Sequence, residues 1–386
     1  MVTELIDPGT ARADIDLDAF RANIAALRGV VGEATLMVVV KADAYGHGML
    51  RCAAAARAAG VEWLGVATPG EAIALREAGD DGRVLAWLYG VNEDLTPLVA
   101  ADVDVSLQSP DQVSRAVAAA AVTERRARVH LKVDTGLSRN GAEPAGWGEL
   151  FAAAAEAEQV GALEVVAVWS HLAAADEPGH PSVEVQVAAF ERACAEARAA
   201  GLRPQLRHLA NSAGALLLPQ ARYDLVRVGI AAYGVEPAPG LAALAGVELR
   251  PVMTLRATLA NVKPIPAGAG VSYGWVWTAP GRTTVGLVPL GYADGIPRHA
   301  GNRAEVAFGA GRAPVRGRIC MDQLVVELGP DADAEPGAEV VLFGPGDAGE
   351  PTAAEWAVWC DTIGYEIVTR IGARVPRRYL DQGSVS

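Results

Sequence analysis

Short apolar runs rich in β-branched residues recur along the first two thirds of the chain. They lie at 37–42 (MVVVKA), 63–67 (WLGVA), 84–88 (VLAWL), 103–108 (VDVSLQ), 128–134 (RVHLKVD), 164–171 (EVVAVWSH), 205–211 (QLRHLAN) and 225–230 (LVRVGI). Runs this short and this continuously apolar predict strands buried on both faces, as in a parallel sheet. The stretches between them have helical period and their own punctuation. Thr68-Pro69-Gly70-Glu71 supplies an N-cap hydroxyl, a proline at the first helical position and a glutamate three residues after the cap, and Ser109-Pro110-Asp111-Gln112 repeats the arrangement. Gly60, Gly79 and Gly201 stand where helices should stop. Leu17, Phe20, Ile24 and Leu27 predict an amphipathic helix ahead of the first run. Eight strands alternating with helices predict an α/β fold, an N-terminal (β/α)8 TIM-type barrel over residues 10–240. The same alternation also permits an open doubly wound sheet, which typically has fewer strands.

After residue 240 the pattern changes. VMTLRATLANVKPI, TTVGLVPLGYA, AEVAFG, QLVVELG and AEVVLFG read as strands joined by Gly/Pro turns, with helical spacing only in TAAEWAVWCDTIGYEIVTRIG. A mostly β C-terminal domain over 241–386, joined by residues 1–9, is the expectation.

Composition narrows the function. The chain has 386 residues, 51% hydrophobic and 20% charged, which is globular composition. Its 33 basic and 46 acidic residues leave a net charge of -13, the wrong sign for neutralising nucleic-acid phosphates or anionic lipid. No apolar run approaches the roughly 18 residues of a membrane span, and the opening MVTELIDPGTARADIDLD is unlike a basic, apolar signal peptide, so the expected location is cytoplasmic. Cys52, Cys194, Cys320 and Cys360 are spaced neither for zinc nor for a disulfide framework, and no metal is expected.

Chemistry enters where polar residues end buried strands, because barrel sites are built at those ends. Lys41, Asp134, His171 and Asn211 occupy such positions, and Arg227 lies within the eighth strand. A lysine at the end of Met37-Val38-Val39-Val40 is either desolvated toward the neutral amine that carbonyl chemistry needs, or snorkels to the barrel mouth to pair with Asp43. Lys132, Asp134 and Arg139 read equally as an ion-pair network, and His171 and Arg227 as satisfied core groups. Their convergence at one end of one barrel is what favours a site.

VVVKADAYGHG (38–48) resembles the cofactor-lysine signature of bacterial alanine racemases, pyridoxal-phosphate enzymes of fold type III. LKVDTGLSRNG (131–141), SHLAAAD (170–176), HLANSAG (208–214), VRVGIAAYG (226–234), VSYG (271–274), LGYADG (290–295), GRICMDQ (317–323) and GYEIVTRIGARVPRRY (364–379) resemble the same family, in its order and across nearly the whole chain. The resemblance implies a barrel followed by a β domain and a homodimer whose two active sites are shared. It implies that Lys41 carries pyridoxal 5'-phosphate, and that Tyr45, Ser212, the N–H groups of Gly229 and Ile230, and Tyr365 hold its phosphate, with His171 and Asn211 in the same cofactor pocket. Hydroxyls and N–H groups at a strand-to-helix turn suit a dianion without a basic surface.

Arg227 matches the family's arginine facing the pyridine nitrogen. An arginine does not readily give up its proton, so that nitrogen should stay unprotonated and the cofactor should be a weaker electron sink, favouring racemisation over transamination. Inverting a stereocentre needs a base on each face. The resemblance supplies Lys41 and, from the partner subunit, Tyr273, with His171 linking that tyrosine to Arg227. Arg139, Tyr292, Met321 through its N–H, and Asp322 are the implied substrate residues, and Lys132 aligns with a lysine that is N6-carboxylated in many members. Val276 replaces a commoner threonine, which affects only the packing of that loop. The implied reaction is reversible interconversion of L- and D-alanine for peptidoglycan. A broader-specificity amino-acid or serine racemase is the nearest alternative, though its members usually carry an export signal. Fold type III decarboxylases would be expected to lack the SYG tyrosine, and single-barrel pyridoxal-phosphate carriers end before it.

Overall fold

The computed structural model describes residues 10–381, so the placement of residues 1–9 and 382–386 in the second domain lies outside the described residues. The chain opens with strand β1 (Ala11–Asp16) and the helix Leu17–Val31, whose Asp16 side chain accepts from the Ala19 N–H at 2.9 Å. The predicted stripe of Leu17, Phe20, Ile24 and Leu27 is buried. All eight predicted strands then form: β2 (Thr35–Val39), β3 (Trp63–Val66), β4 (Arg83–Ala86), β5 (Asp104–Leu107), β6 (Ala127–Lys132), β7 (Leu163–Trp169), β8 (Leu206–His208) and β9 (Leu225–Val228). The caps read from sequence are present: Thr68 and Glu71 form a capping box, and the Ser109 hydroxyl accepts from Gln112 N–H.

These strands form one parallel sheet in the order β8-β7-β6-β5-β4-β3-β2-β9. β9, the last strand, pairs with β2, the first, with Val228 opposite Val38, and bonds across the remaining seam between β8 and β9 make the sheet a nearly closed ring where the alternative would be open. The seam between β8 and β9 is bridged by Arg227 N–H to Ala210 O at 3.0 Å and Asp224 N–H to Arg207 O at 3.2 Å. Inside the ring, Met37, Trp63, Leu85, Val166 and Leu225 form a small apolar cluster of their own. β5, β6, β8 and β9 also bury polar side chains, including Asp104, His130, Lys132, His208 and Arg227.

The second domain adds β10 (Met253–Thr258), β11 (Asn261–Ile265), β12 (Thr283–Val288), β13 (Glu305–Phe308), β14 (Gly311–Arg316), β15 (Leu324–Gly329), β16 (Glu339–Phe343) and β17 (Arg377–Leu380). Its nine-stranded sheet runs β11-β12-β15-β14-β13-β16-β10-β1-β17. Here the structure corrects the boundary drawn from sequence, which began the barrel at residue 10. β1 pairs antiparallel with β10 and parallel with β17, and so belongs to the second sheet. Ala13 and Ile15 are fully buried, while the buried Asp14 accepts from Arg378 Nε and Nη2, both at 2.8 Å. The helical stretch after residue 351 is two short helices, Ala353–Trp359 and Gly364–Thr369. The second of these carries Tyr365 to the barrel mouth. Among the described residues no helix is long and apolar enough to cross a membrane.

Candidate active site

At the C-terminal end of the barrel strands a cavity of about 260 Å³ opens. Nine of the residues singled out from sequence line it: Lys41, Tyr45 and Arg139; Lys132 and His171; Asn211, Ser212, Arg227 and Tyr365. The backbone turn of Gly229 and Ile230 completes the lining, together with Val39, Trp87 and Trp169.

Lys41 is delivered by an unusual stretch of backbone. After β2 the chain does not enter a right-handed helix. Ala42, Asp43, Ala44 and Tyr45 all have φ between 51° and 54°, a single left-handed turn built from residues with side chains. Each such residue costs on the order of 1–2 kcal/mol, so the surroundings must over-determine the turn. Glu71 accepts from Ala42 N–H at 2.7 Å, and Asp43 accepts from Met49 N–H at 2.7 Å. Ala44 N–H donates to Val40 O at 2.8 Å. Gly46 meets the helix Gly364–Thr369 so closely that a Cβ there would lie 2.5 Å from Val368 O. The turn thereby brings Tyr45 against Tyr365, ring centroids 6.3 Å apart. With its carboxylate committed to Met49, Asp43 forms no ion pair with Lys41, and the snorkelling alternative fails.

Asp134 likewise organises a loop rather than an ion pair. One carboxylate oxygen accepts from the N–H groups of Gly136, Leu137 and Ser138 at 2.8–3.2 Å and shapes the approach to Arg139. No carboxylate lies within 4 Å of the cationic groups of Lys41, Lys132, Arg139 or Arg227 among the described residues. The cavity is therefore a local pocket of uncompensated positive charge in an acidic protein. Burial, with Arg139 second, lowers the Lys41 pKa. Burial, then Arg227 and Arg139, brings that of Lys132 to about 7. Burial and Arg227 hold His171 neutral, far below the ordinary histidine value.

Arg227 is the best-anchored cation. It donates through Nη2 to Ser170 O at 2.8 Å and Leu209 O at 3.1 Å, with His171 Nδ1 at 3.2 Å, and through Nη1 to His208 Nδ1 at 3.0 Å. Trp169 lies under it, 4.8 Å from Cζ to the ring centroid, and also under Lys132 Nζ at 4.3 Å. Sequence reasoning missed Trp169, although it stands two residues before His171 and so on the same side of its strand.

A phosphate would find donors at the turn after β9. Ser212 Oγ lies 3.0 Å from Gly229 N and 3.5 Å from Ala231 N. The hydroxyl-bearing end of Tyr45 occupies the space where a Gly229 Cβ would sit, 2.2 Å away. Only glycine lets that phenol reach the turn. Asn211 faces the cavity but spends its Oδ1 on the Gly214 N–H at 3.0 Å as an N-cap. No cluster of three or more His, Cys, Asp or Glu side chains able to hold a metal occurs among the described residues.

The other predicted residues do not enter this cavity. Tyr273, Tyr292, Met321 and Asp322 are exposed on the second domain, with Tyr273 at 69%. They are nonetheless neighbours: Tyr292 N–H donates to Cys320 O at 3.1 Å, Ala293 N–H to Met321 O at 2.9 Å, and Ser272 Oγ–H to Arg318 O at 2.6 Å. Arg374 ties Asp294 (3.1 Å) to Asp322 (2.8 Å). Trp275 (72% exposed) and Val276 extend this apolar, outward-facing patch.

Comparison with known proteins agrees with this division. Residues 15–237 match the family model "Alanine racemase, N-terminal domain" and residues 252–379 match "Alanine racemase, C-terminal domain". The chain is 55% identical to an alanine racemase of Streptomyces coelicolor over 377 residues, 96% of each chain, and 52% identical to one of Thermobifida fusca, covering 96% and 98%. Among solved structures, that of the alanine racemase from D-cycloserine-producing Streptomyces lavendulae superposes with a TM-score of 0.94 at 51% identity, covering 97% of this chain and 98% of that one.

Proposed function

The chain belongs to the alanine racemase family and interconverts L- and D-alanine, and we propose that it does so with pyridoxal phosphate held on Lys41 and with two bases on opposite faces of the substrate. The observation that carries this reading is the division of the predicted residues. Those that would hold the cofactor line one cavity, while Tyr273, Tyr292 and Met321 lie exposed together on the other domain. A second copy of the chain presenting that patch to the barrel mouth completes the site, and the functional unit we propose is a homodimer.

The residues present fit the cofactor: a desolvated amine at Lys41, a glycine-cleared turn with hydroxyl donors, and a pocket of positive charge. Bound pyridoxal phosphate supplies the electron sink that makes the Cα–H of an amino acid acidic at neutral pH. Tyr45, Ser212, Tyr365 and the Gly229 and Ile230 N–H groups would hold its phosphate, with Asn211 and His171 beside it, and Arg227 would face its ring nitrogen as a donor. Lys41 Nζ takes the Cα proton from one enantiomer, and Tyr273 Oη of the partner subunit supplies a proton to the opposite face. For the other enantiomer the two exchange roles. His171, its Nδ1 accepting from Arg227, carries its proton on Nε2, and that N–H would donate to the Tyr273 oxygen of the partner subunit and stabilise it as the phenolate that acts as base. Arg139 meets the substrate carboxylate, with Tyr292 and the Met321 N–H of the partner subunit closing the pocket. Asp322, tied to Arg374, fixes the Met321 loop.

Lys132 takes up CO₂ in this reading: its amine loses a proton and becomes a carbamate, turning a positive charge beside Arg139 into a negative one. Its lowered pKa leaves much of the amine neutral and reactive near pH 7. The physiological use we propose is supply of D-alanine for peptidoglycan.

The test is incubation of holoenzyme with L-alanine, and separately with L-serine, in deuterated water. D-Alanine carrying deuterium at Cα is expected. Cofactor-loaded protein that exchanges Cα–H in neither substrate would overturn the reading.

A further inference from the structure

Arg227 is buried without a carboxylate partner, yet a carboxylate is connected to it through two imidazoles. Arg227 Nη1 lies 3.0 Å from His208 Nδ1, His208 Nε2 lies 2.9 Å from His130 Nδ1, and His130 Nε2 lies 3.1 Å from Asp104 Oδ2. Asp104, His130 and His208 are all buried in the barrel interior, below the cavity and outside its lining.

The chemistry of the two ends fixes the direction of every bond. A guanidinium can only donate, so His208 Nδ1 must be bare and its proton must sit on Nε2. Asp104 is held as a carboxylate, because His130, Arg83 and Arg128 outweigh its burial, and a carboxylate can only accept. His130 must therefore carry its proton on Nε2 and present a bare Nδ1, which is the acceptor that His208 Nε2–H needs. The bond between the two imidazoles thus has one donor and one acceptor. A further proton on either ring would set N–H against N–H, and burial keeps both rings neutral.

We propose that Asp104, His130 and His208 are positioning residues: a one-way hydrogen-bond chain across the barrel whose bare His208 Nδ1 anchors the Arg227 guanidinium in the orientation from which it donates toward the cofactor ring. This rests on the reading that Arg227 faces the ring nitrogen. A guanidinium locked as donor leaves that nitrogen an acceptor without a proton of its own, which keeps the returning proton going to Cα. If the guanidinium loses that orientation, some protons return to the cofactor carbon instead. The amino group then stays with the cofactor, water supplies the keto oxygen, and pyruvate is released.

Two measurements test this. Nitrogen-15 NMR of histidine-labelled holoenzyme should show His130 and His208 both neutral with the proton on Nε2; His208 found with its proton on Nδ1, or doubly protonated, would overturn the proposal without reference to activity. The second is pyruvate formed per D-alanine in His208→Phe and His208→Gln. Phenylalanine keeps the ring stacked on Trp169 but accepts nothing, whereas glutamine can accept from Arg227 and donate to His130, preserving the direction of the chain. The ratio should rise about tenfold in His208→Phe, the effect of one lost hydrogen bond to a charged group, and stay within about twofold of the parent in His208→Gln. A ratio unchanged in both variants, with only thermal stability altered, would make the chain ordinary core packing. If His208→Phe does not fold, the NMR assignment still decides. A parent enzyme without racemase activity would refute the functional reading instead, leaving the tautomers as a separate result.

Discussion

Gly229→Ala isolates one contact on which the proposed cofactor site depends. The backbone there has φ -104° and ψ -100°, outside the regular helix and strand regions, so no stabilisation through the unfolded chain is expected of an alanine. Space sets the cost. The new Cβ would stand 2.2 Å from Tyr45 Oη and 2.8 Å from its Cζ, and ordinary contact begins at 3.4 Å, so the phenol must move by about 1.2 Å (3.4 minus 2.2). It cannot do so freely, being 8% exposed and packed on Tyr233 at 5.1 Å between ring centroids. Overpacking of this kind costs about 1–3 kcal/mol. A hydroxyl displaced by that distance also leaves hydrogen-bonding range of a phosphate, a loss of about 1.5–3 kcal/mol, or roughly ten- to hundredfold in cofactor affinity. Titration of apoprotein with pyridoxal phosphate by absorbance, alongside thermal melts, reads both effects. In Gly229→Ala/Tyr45→Phe the melt should recover in part, because the closest atom has gone, while affinity stays low, because the hydroxyl has gone with it. Recovery of full affinity in the double variant would show that the Tyr45 hydroxyl does not bind the phosphate and would refute the cradle as drawn.

Three further outcomes are expected. Tyr273→Phe should slow Cα-deuterium exchange from one enantiomer at least tenfold more than from the other; an equal, mild loss from both would remove Tyr273 from the mechanism. Ala42→Gly, in the left-handed turn, should leave stability unchanged or raise it by up to about 1 kcal/mol, whereas Ala54→Gly, on the exposed face of the helix Met49–Ala58, should lower it by about 1 kcal/mol, as measured by urea unfolding. For Lys132, whose folded pKa of about 7 lies below its ordinary 10.5, the unfolded chain binds the extra proton between those values. That contribution to stability therefore rises with pH from about 7 to 10.5, and in CO₂-free buffer Lys132→Met apoprotein should melt above the parent at pH 7, with the difference closing toward pH 10. A gap that widens with pH would contradict the assignment.

The local elements were legible in the sequence because they depend on neighbours a few residues apart. Strand runs, the Thr68 and Ser109 caps and the Leu17 to Leu27 stripe follow from β-branched residues, hydroxyls before proline and helical spacing, and each appears where it was read. The residues of the site were legible as a set through their resemblance to a family. Their roles divide only in three dimensions. Asp43 and Asp134 look from sequence like partners for Lys41 and Arg139, yet both spend their carboxylates on backbone N–H groups, because turns that tight leave donors that must be satisfied. β1 reads as the start of the barrel and instead pairs with strands near residues 255 and 378, since pairing partners that far apart leave no local trace. Tertiary structure alone swings Tyr365 onto Tyr45, turns the patch around Tyr273 outward, and links Asp104 to Arg227 through two histidines. Each of these depends on distances across a closed ring or between two sheets, which are set by how whole elements pack and not by the spacing of residues along the chain.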